Sequence, residues 1–186
     1  MPRHTPAATL AWQIAAAEAI ASRHGQIEPV HLAIGLFSLE KVGGALAESA
    51  RLTAADRESL RREQATLAEL LSGLGVEAAP VRRRLREAAG HGSGAPGGTP
   101  SRDPAARAAF AHAEQLGAPG PATALHLLAA VAEAADEVVA QGLAAGGISP
   151  AQLAPRARAY AGVALAPRDE GDGQDTPPLA PPPGRR

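Results

Sequence analysis

Two stretches, AEAIASRHGQIEPVHLAIGL (17–36) and AEQLGAPGPATALHLLAAV (113–131), decide the fold, because one can be laid on the other. With a one-residue gap, His31 falls on His126, and a run of apolar residues follows each histidine. Self-similarity between distant parts of a chain indicates one supersecondary unit used twice. The sequence therefore predicts two related halves.

The two copies differ in length. The same alignment pairs Glu18 with Glu114, and further along Leu74-Gly75-Val76 corresponds to Gly146-Gly147-Ile148. The first copy is longer between the shared histidine and this glycine step, by about 23 residues. Residues 53–72 account for most of the difference, and their apolar stripe and mixed charges predict an extra helix inserted in the first repeat.

Apolar residues recur at helical spacing throughout, and no segment reads as a convincing strand. Thr5-Pro6 and Asp103-Pro104 each combine an N-cap residue with proline at the first helical position, and Thr53 with Asp56 resembles a capping box. We expect an all-α fold of about eight to nine helices, with the two pseudo-symmetric repeats packed as one bundle. Its predicted core includes Leu32, Leu36, Leu39, Leu127, Leu128 and Val131.

Composition divides the chain into five parts. A polar lead (1–5) precedes the first repeat (6–89), which carries the inserted helix at 53–72. The Gly- and Pro-rich segment 90–101 predicts a flexible linker. The second repeat follows (102–165), and the proline-rich end (166–186) predicts a disordered tail with little apolar surface to bury.

Charge and composition restrict the function. The net charge is −1, so no global field attracts nucleic acid or an anionic membrane. There is no cysteine, which excludes disulfides and thiolate metal sites and fits a reducing cytoplasm. No apolar run reaches the roughly 18 residues of a membrane span, and residues 1–5 lack the layout of a signal peptide. We expect a cytoplasmic protein that does not contact membranes.

The repeats resemble the Clp N-terminal (Clp R) double-repeat domain, found at the front of Clp-type AAA+ unfoldases in bacteria. The resemblance covers roughly residues 7–160 and rests on the steps Ile27-Glu28-Pro29-Val30-His31-Leu32 and Thr123-Ala124-Leu125-His126-Leu127-Leu128. It implies a protein that holds substrate polypeptides or adaptor proteins for an unfoldase or protease system. No G-x-x-x-x-G-K-[ST] phosphate loop occurs in these residues, so we expect a stand-alone domain that hydrolyses no ATP.

The resemblance also names candidate binding residues: Glu28, Val30, Thr123 and Leu125. In some family members a glutamate just before the shared histidine binds phosphorylated arginine. Here Val30 and Leu125 occupy those two positions, so we expect apolar, unmodified peptides to bind at least as well. Two alternatives stay open: Val30 and Leu125 belong to the core, and Glu28 is only an N-cap.

A basic cluster on one short helix gives a second candidate site, formed by Arg82, Arg83, Arg84 and Arg86. A solvated helix face is the simpler interpretation; the alternative is a regulatory protein that binds nucleic acid or an acidic partner there. The charges of the inserted helix, Glu58, Arg61 and Glu63 among them, are also expected to be solvated. Trp12 lies off the stripe of its helix and either packs on the inserted helix or marks a partner site.

The six histidines form no metal-binding pattern, and we expect no metal and no cofactor. His31 and His126 fall in the first turn of buried helices, where a side chain that hydrogen-bonds the backbone is the simplest role. No acid, base and nucleophile combine in a catalytic pattern, so we expect no enzymatic activity.

Deletion of residues 166–186 should leave the melting temperature unchanged, because the tail buries little apolar surface. Thermal unfolding of the full and shortened chains measures this. A clear drop on deletion would show that the tail packs on the repeats.

Overall fold

A computed structural model describes residues 3–41, 48, 52–94, 99–134 and 136–165, with the side chains of residues 163–165 excepted. The predicted tail lies outside these residues. The all-α prediction is confirmed. Within the described ranges residues 39–41 are helical and eight helices are complete: α1 (Pro6–Ala21), α2 (Pro29–Leu36), α3 (Ala54–Gly73), α4 (Ala78–Ala89), α5 (Pro104–Gly117), α6 (Ala124–Glu133), α7 (Glu137–Ala145) and α8 (Pro150–Leu165).

The first helix of each repeat begins in the same way. The Thr5 hydroxyl accepts the amide of Ala8 at 3.4 Å, and the Asp103 carboxylate accepts the amide of Ala105 at 2.7 Å. Proline follows each cap, where its missing N–H costs nothing. α1 and α5 are therefore equivalent helices, counted from these two residues.

The residues that precede the first helix of each repeat pair with backbone of the other repeat. Strand β1 (Gln26–Ile27) pairs in parallel with β2 (Ser101–Arg102), and His4 forms a parallel bridge with Ala122. The residues before α5 thus pair with those before α2, and the residues before α1 pair with those before α6. This reciprocal exchange ties the halves together. The expectation of no strand was wrong, because a two-residue ladder has no alternating pattern to detect.

The Gly- and Pro-rich segment is partly ordered. The amides of Gly92 and Gly94 donate to the carbonyls of Ser22 and Arg23, at 2.9 and 2.7 Å. At the other end the amide of Ser101 donates to the carbonyl of Gly25 at 3.2 Å, so both ends of the segment hydrogen-bond the first repeat. Residues 95–98 lie outside the described part, and a flexible linker stays a prediction.

The second helix of each repeat forms the centre of the fold. Every residue of α2 is buried, as is every residue of α6 except Glu133. The six predicted core positions are each at most 1% exposed. A helix that is apolar on all sides has to be enclosed by other helices, and α2 and α6 are enclosed by α1, α4, α5 and α8.

Small residues allow the helices to approach closely. The buried face of α1 carries alanines at 8, 11, 15 and 19, and the equivalent positions of α5 are Ala106, Ala109, Ala113 and Gly117. A Cβ on Gly35 of α2 would lie 2.2 Å from the carbonyl oxygen of Ala11. Backbone contacts the backbone at this crossing, so only glycine fits at position 35.

The inserted helix is confirmed as α3, and its capping box forms between Thr53 and Asp56. It packs on α1 and α8. Arg61 and Glu58 form an exposed ion pair at 2.6 Å, as a solvated face requires. Glu63 does not belong to that face: it is only 3% exposed, because it points toward the N-terminus of α6. None of the helices in the described residues is long and apolar enough to cross a membrane.

Gly35→Ala should lower the free energy of unfolding by about 1–3 kcal/mol, because the added methyl group forces α1 and α2 apart. Gly162→Ala is the matched control: no heavy atom lies within 4 Å of its Cβ position, so helix propensity should make it neutral or stabilising by up to about 1 kcal/mol. Urea unfolding measures both. Equal effects of the two substitutions would contradict the close helix crossing.

Candidate functional site

Three of the four residues expected to bind peptide are inaccessible. Val30 is 1% exposed, and Leu125 and Thr123 are fully buried. Val30 and Leu125 are the second residues of α2 and α6, helices enclosed on all sides, so their side chains fill the core. The prediction of a peptide site at these residues is therefore wrong, and a glutamate there would be an unpaired buried charge.

Glu28 is the one accessible residue of these four candidates, and its side chain already has a partner within the protein. It precedes α2 as the N-cap residue, and its carboxylate lies 3.4 Å from Nδ1 of His24. Glu28 therefore occupies the N-cap position of α2, as the alternative interpretation expected. The carboxylate is held at the junction between α2 and the loop that precedes it.

His31 and His126 hydrogen-bond the backbone, as expected. Nδ1 of His31 accepts the amide of Glu28 at 3.1 Å, and Nδ1 of His126 accepts the amide of Thr123 at 3.2 Å. Burial lowers the pKa of both side chains, that of His31 to about 4; nearby His24 adds to the effect on His31 and Glu18 opposes it. Both imidazoles are therefore neutral at pH 7 and able to accept a hydrogen bond.

Half of the basic cluster on α4 is paired with carboxylates of the protein. Arg86 forms two hydrogen bonds with the carboxylate of Glu18, and Arg84 pairs with Glu87 at 2.6 Å. Arg82 donates to the carbonyl of Phe37 at 3.4 Å, a neutral acceptor that does not compensate its charge. Among the described residues Arg82 and Arg83 therefore form no ion pair, and two of the four charges are compensated.

A different group of side chains stands out at the junction of the two repeats. The rings of Trp12 and Phe110 meet edge to face with centroids 5.5 Å apart, and His4 packs on Phe110 at 5.3 Å. The guanidinium of Arg102 lies 4.4 Å from the centre of the Trp12 ring. We call Trp12, Phe110, His4 and Arg102 the junction cluster.

The junction cluster lies where the repeats are equivalent. Trp12 follows the N-cap Thr5 by seven residues, and Phe110 follows the N-cap Asp103 by seven. Two equivalent residues touch only near the pseudo-two-fold axis, so this contact marks the axis. Both rings are half-buried and Arg102 is exposed, so the cluster forms part of the surface.

The charges around the cluster are unevenly compensated. Glu114 pairs with His4 at 3.2 Å and with Arg3 at 3.7 Å. Among the described residues no carboxylate pairs with Arg102, whose charge rests on the faces of Trp12 and Phe110. The surface therefore combines apolar ring area with available guanidinium donors.

Sequence reasoning noted Trp12 but missed the rest of the cluster. It left two roles open for Trp12, and the ring contacts that the structure shows are with the second repeat. Counting from the two N-cap–proline pairs instead of from Glu18 and Glu114 would have placed Phe110 opposite Trp12.

No group of three His, Asp or Glu side chains among the described residues is placed to hold a metal ion. A cavity of about 570 Å³ lies between α3 and the start of α4, where its polar lining includes Glu40, Glu77 and Ser72 and no histidine. No family model matches the chain, and no curated protein matches it significantly.

The lowered pKa of His31 predicts a contribution to stability that is lost in acid. Between pH 6.5 and about 4 the unfolded chain takes up a proton that folded His31 refuses, so the contribution of His31 to the free energy of unfolding falls as the pH falls through this window. His31→Gln keeps a hydrogen-bond acceptor for the cap and should reduce that loss by roughly 1–3 kcal/mol.

Urea unfolding at pH 7 and pH 4.5 measures this difference. His91→Gln, at an exposed position, is the control and should behave as the unaltered chain does. An identical pH dependence in the His31 variant would show that His31 is not the group responsible.

Proposed function

We propose that this protein binds polypeptides, either substrate segments or an adaptor protein, for a Clp-type unfoldase or protease system, and that it is a cytoplasmic, non-enzymatic domain. The junction cluster is the observation that carries the proposal: a half-exposed pair of aromatic rings where the two repeats meet. The ordered double repeat, which resembles the Clp N-terminal domain, supports the connection to unfoldases.

The chemistry of the cluster suits a peptide. Aromatic rings held by their neighbours bury an apolar side chain at little cost in conformational entropy, and tryptophan and arginine dominate the binding energy of many interfaces. Arg102 adds donors for the carbonyl or carboxylate oxygens of a bound chain. We therefore expect a preferred segment with an exposed apolar side chain flanked by acceptor groups.

The junction cluster takes the place of Val30 and Leu125 as the proposed peptide-binding site. Because those side chains lie in the core, they cannot select between phosphorylated and unmodified peptides. No exposed, unpaired carboxylate was found at either of the two histidine steps in the described residues, which supports the expectation that an arginine phosphate is not required.

Nucleic-acid binding through the basic cluster is the alternative, and the ion pairs of Arg84 and Arg86 argue against it. A phosphate would have to compete with Glu87 and Glu18 for these guanidinium groups. Salt dependence separates the two functions, because release of counterions from phosphates gives a steep negative slope.

Trp12→Ala should weaken binding of fluorescein-labelled β-casein, an unfolded apolar polypeptide, by about tenfold or more, equivalent to about 1.4 kcal/mol. Fluorescence anisotropy at several salt concentrations measures the affinity. Ile20→Ser is the matched control, because Ile20 is an exposed large apolar residue on the same helix but outside the cluster.

Binding that is equally weakened by both substitutions would contradict a specific role of the cluster. Binding of a labelled DNA duplex that falls steeply with salt and is lost in Arg83→Ala, with no binding of casein, would favour the alternative. Circular dichroism of each variant verifies that the fold is intact.

A further inference from the structure

Glu63 connects the inserted helix to two other parts of the molecule. Its Oε2 accepts the amide of Ala124, the first residue of α6, at 2.8 Å. The side chain of Thr5, the N-cap residue of α1, lies near this carboxyl group and favours its ionised form, which lowers its pKa. The side chain is 3% exposed, and its Oε1 has no hydrogen-bond partner among the described residues.

Comparison of the two repeats explains why only the start of α6, and not the start of α2, needs a carboxyl group. In the first repeat the residue that opens α2 is Pro29, which has no N–H to satisfy. In the second repeat Ala124 occupies that position, and its N–H is buried. Glu63 supplies the missing acceptor, and it comes from the very segment that the second repeat lacks.

The environment of Glu63 opposes its charge. Burial raises the pKa of Glu63 to about 7, while the Ala124 amide, the Thr5 side chain and the charge of Arg62 limit the increase. The elements packed there also contribute His126 from α6 and His4 from the lead, and neither forms an ion pair with Glu63. The ionised carboxylate thus accepts the Ala124 amide but is removed from water.

We propose that Glu63 is a proton-dependent latch for the inserted helix. With the carboxyl group protonated, α3 stays docked and holds both the lead residues 3–5 and the first turn of α6. Ionisation favours movement of α3 away from the body, which carries the carboxylate into water. The latch operates whether or not the junction cluster binds peptides.

The sign follows from the two states of the helix. In the undocked helix the carboxyl group of Glu63 has its ordinary pKa of 4.5. Between pH 4.5 and about 7 the undocked form therefore loses a proton that the docked form retains. Over this window the ratio of docked to undocked helix falls by roughly tenfold per pH unit, and it levels off above pH 7.

Amide hydrogen exchange tests the latch on the full chain, after correction for the chemical dependence of exchange on pH. From pH 5 to pH 7, protection of the Leu60 and Leu67 amides of α3 should fall by up to about 100-fold. Protection of Val139 and Leu143 in α7 should fall less, because α7 does not contact the latch. Glu63→Gln should remove the difference, and Glu69→Gln, exposed on the same helix, should keep it.

A second variant keeps the test decisive if Glu63→Gln does not fold. Ala124→Pro copies Pro29, removes the donor to Glu63 and should extend the loss of protection to higher pH. Equal loss of protection in α3 and α7 would show that only global unfolding depends on the proton, and the latch would be wrong. It would also be wrong if the unaltered chain showed no pH dependence in α3.

Discussion

The buried N-termini of α2 and α6 impose the constraint on which the rest of the structure depends. A helix leaves its first N–H groups without intrahelical partners, and a helix at the centre of a bundle cannot give them to water. Each repeat solves this with a neutral histidine in the first turn, which accepts the amide of the N-cap residue. The first residue of the helix has no N–H in one repeat, where it is Pro29, and in the other its N–H, that of Ala124, donates to the carboxyl group of Glu63.

Local signals in the sequence predicted most helices because caps and prolines act within a few residues. Thr5, Thr53 and Asp103 begin helices as expected. The register between repeats was harder. The alignment of Glu18 with Glu114 is two residues away from the equivalence that the N-caps define, because the helix and the loop before the histidine both differ in length between the repeats.

The candidate site was predicted less well, since burial is decided by the packing of whole helices. Whether Val30 and Leu125 are exposed or buried depends on which helices pack around α2 and α6. The residues next to them in the sequence do not indicate this packing. The same holds for Glu63, whose neighbours in sequence are charged residues of a solvated face. Trp12 and Phe110 lie 98 positions apart, and only the correct register between repeats brings them together.

Thr5 shows how these features are joined. Its hydroxyl caps α1, its amide donates to the carbonyl of Ala122 before α6, and its side chain lies close enough to Glu63 of the inserted helix to lower the pKa of that carboxyl group. The preceding residue, His4, packs on Phe110 in the junction cluster. A movement of α3 that withdraws Glu63 therefore changes the surroundings of the segment that forms an edge of the cluster. The inserted helix is thus placed to influence a surface on the repeat axis, through a lead of only three described residues.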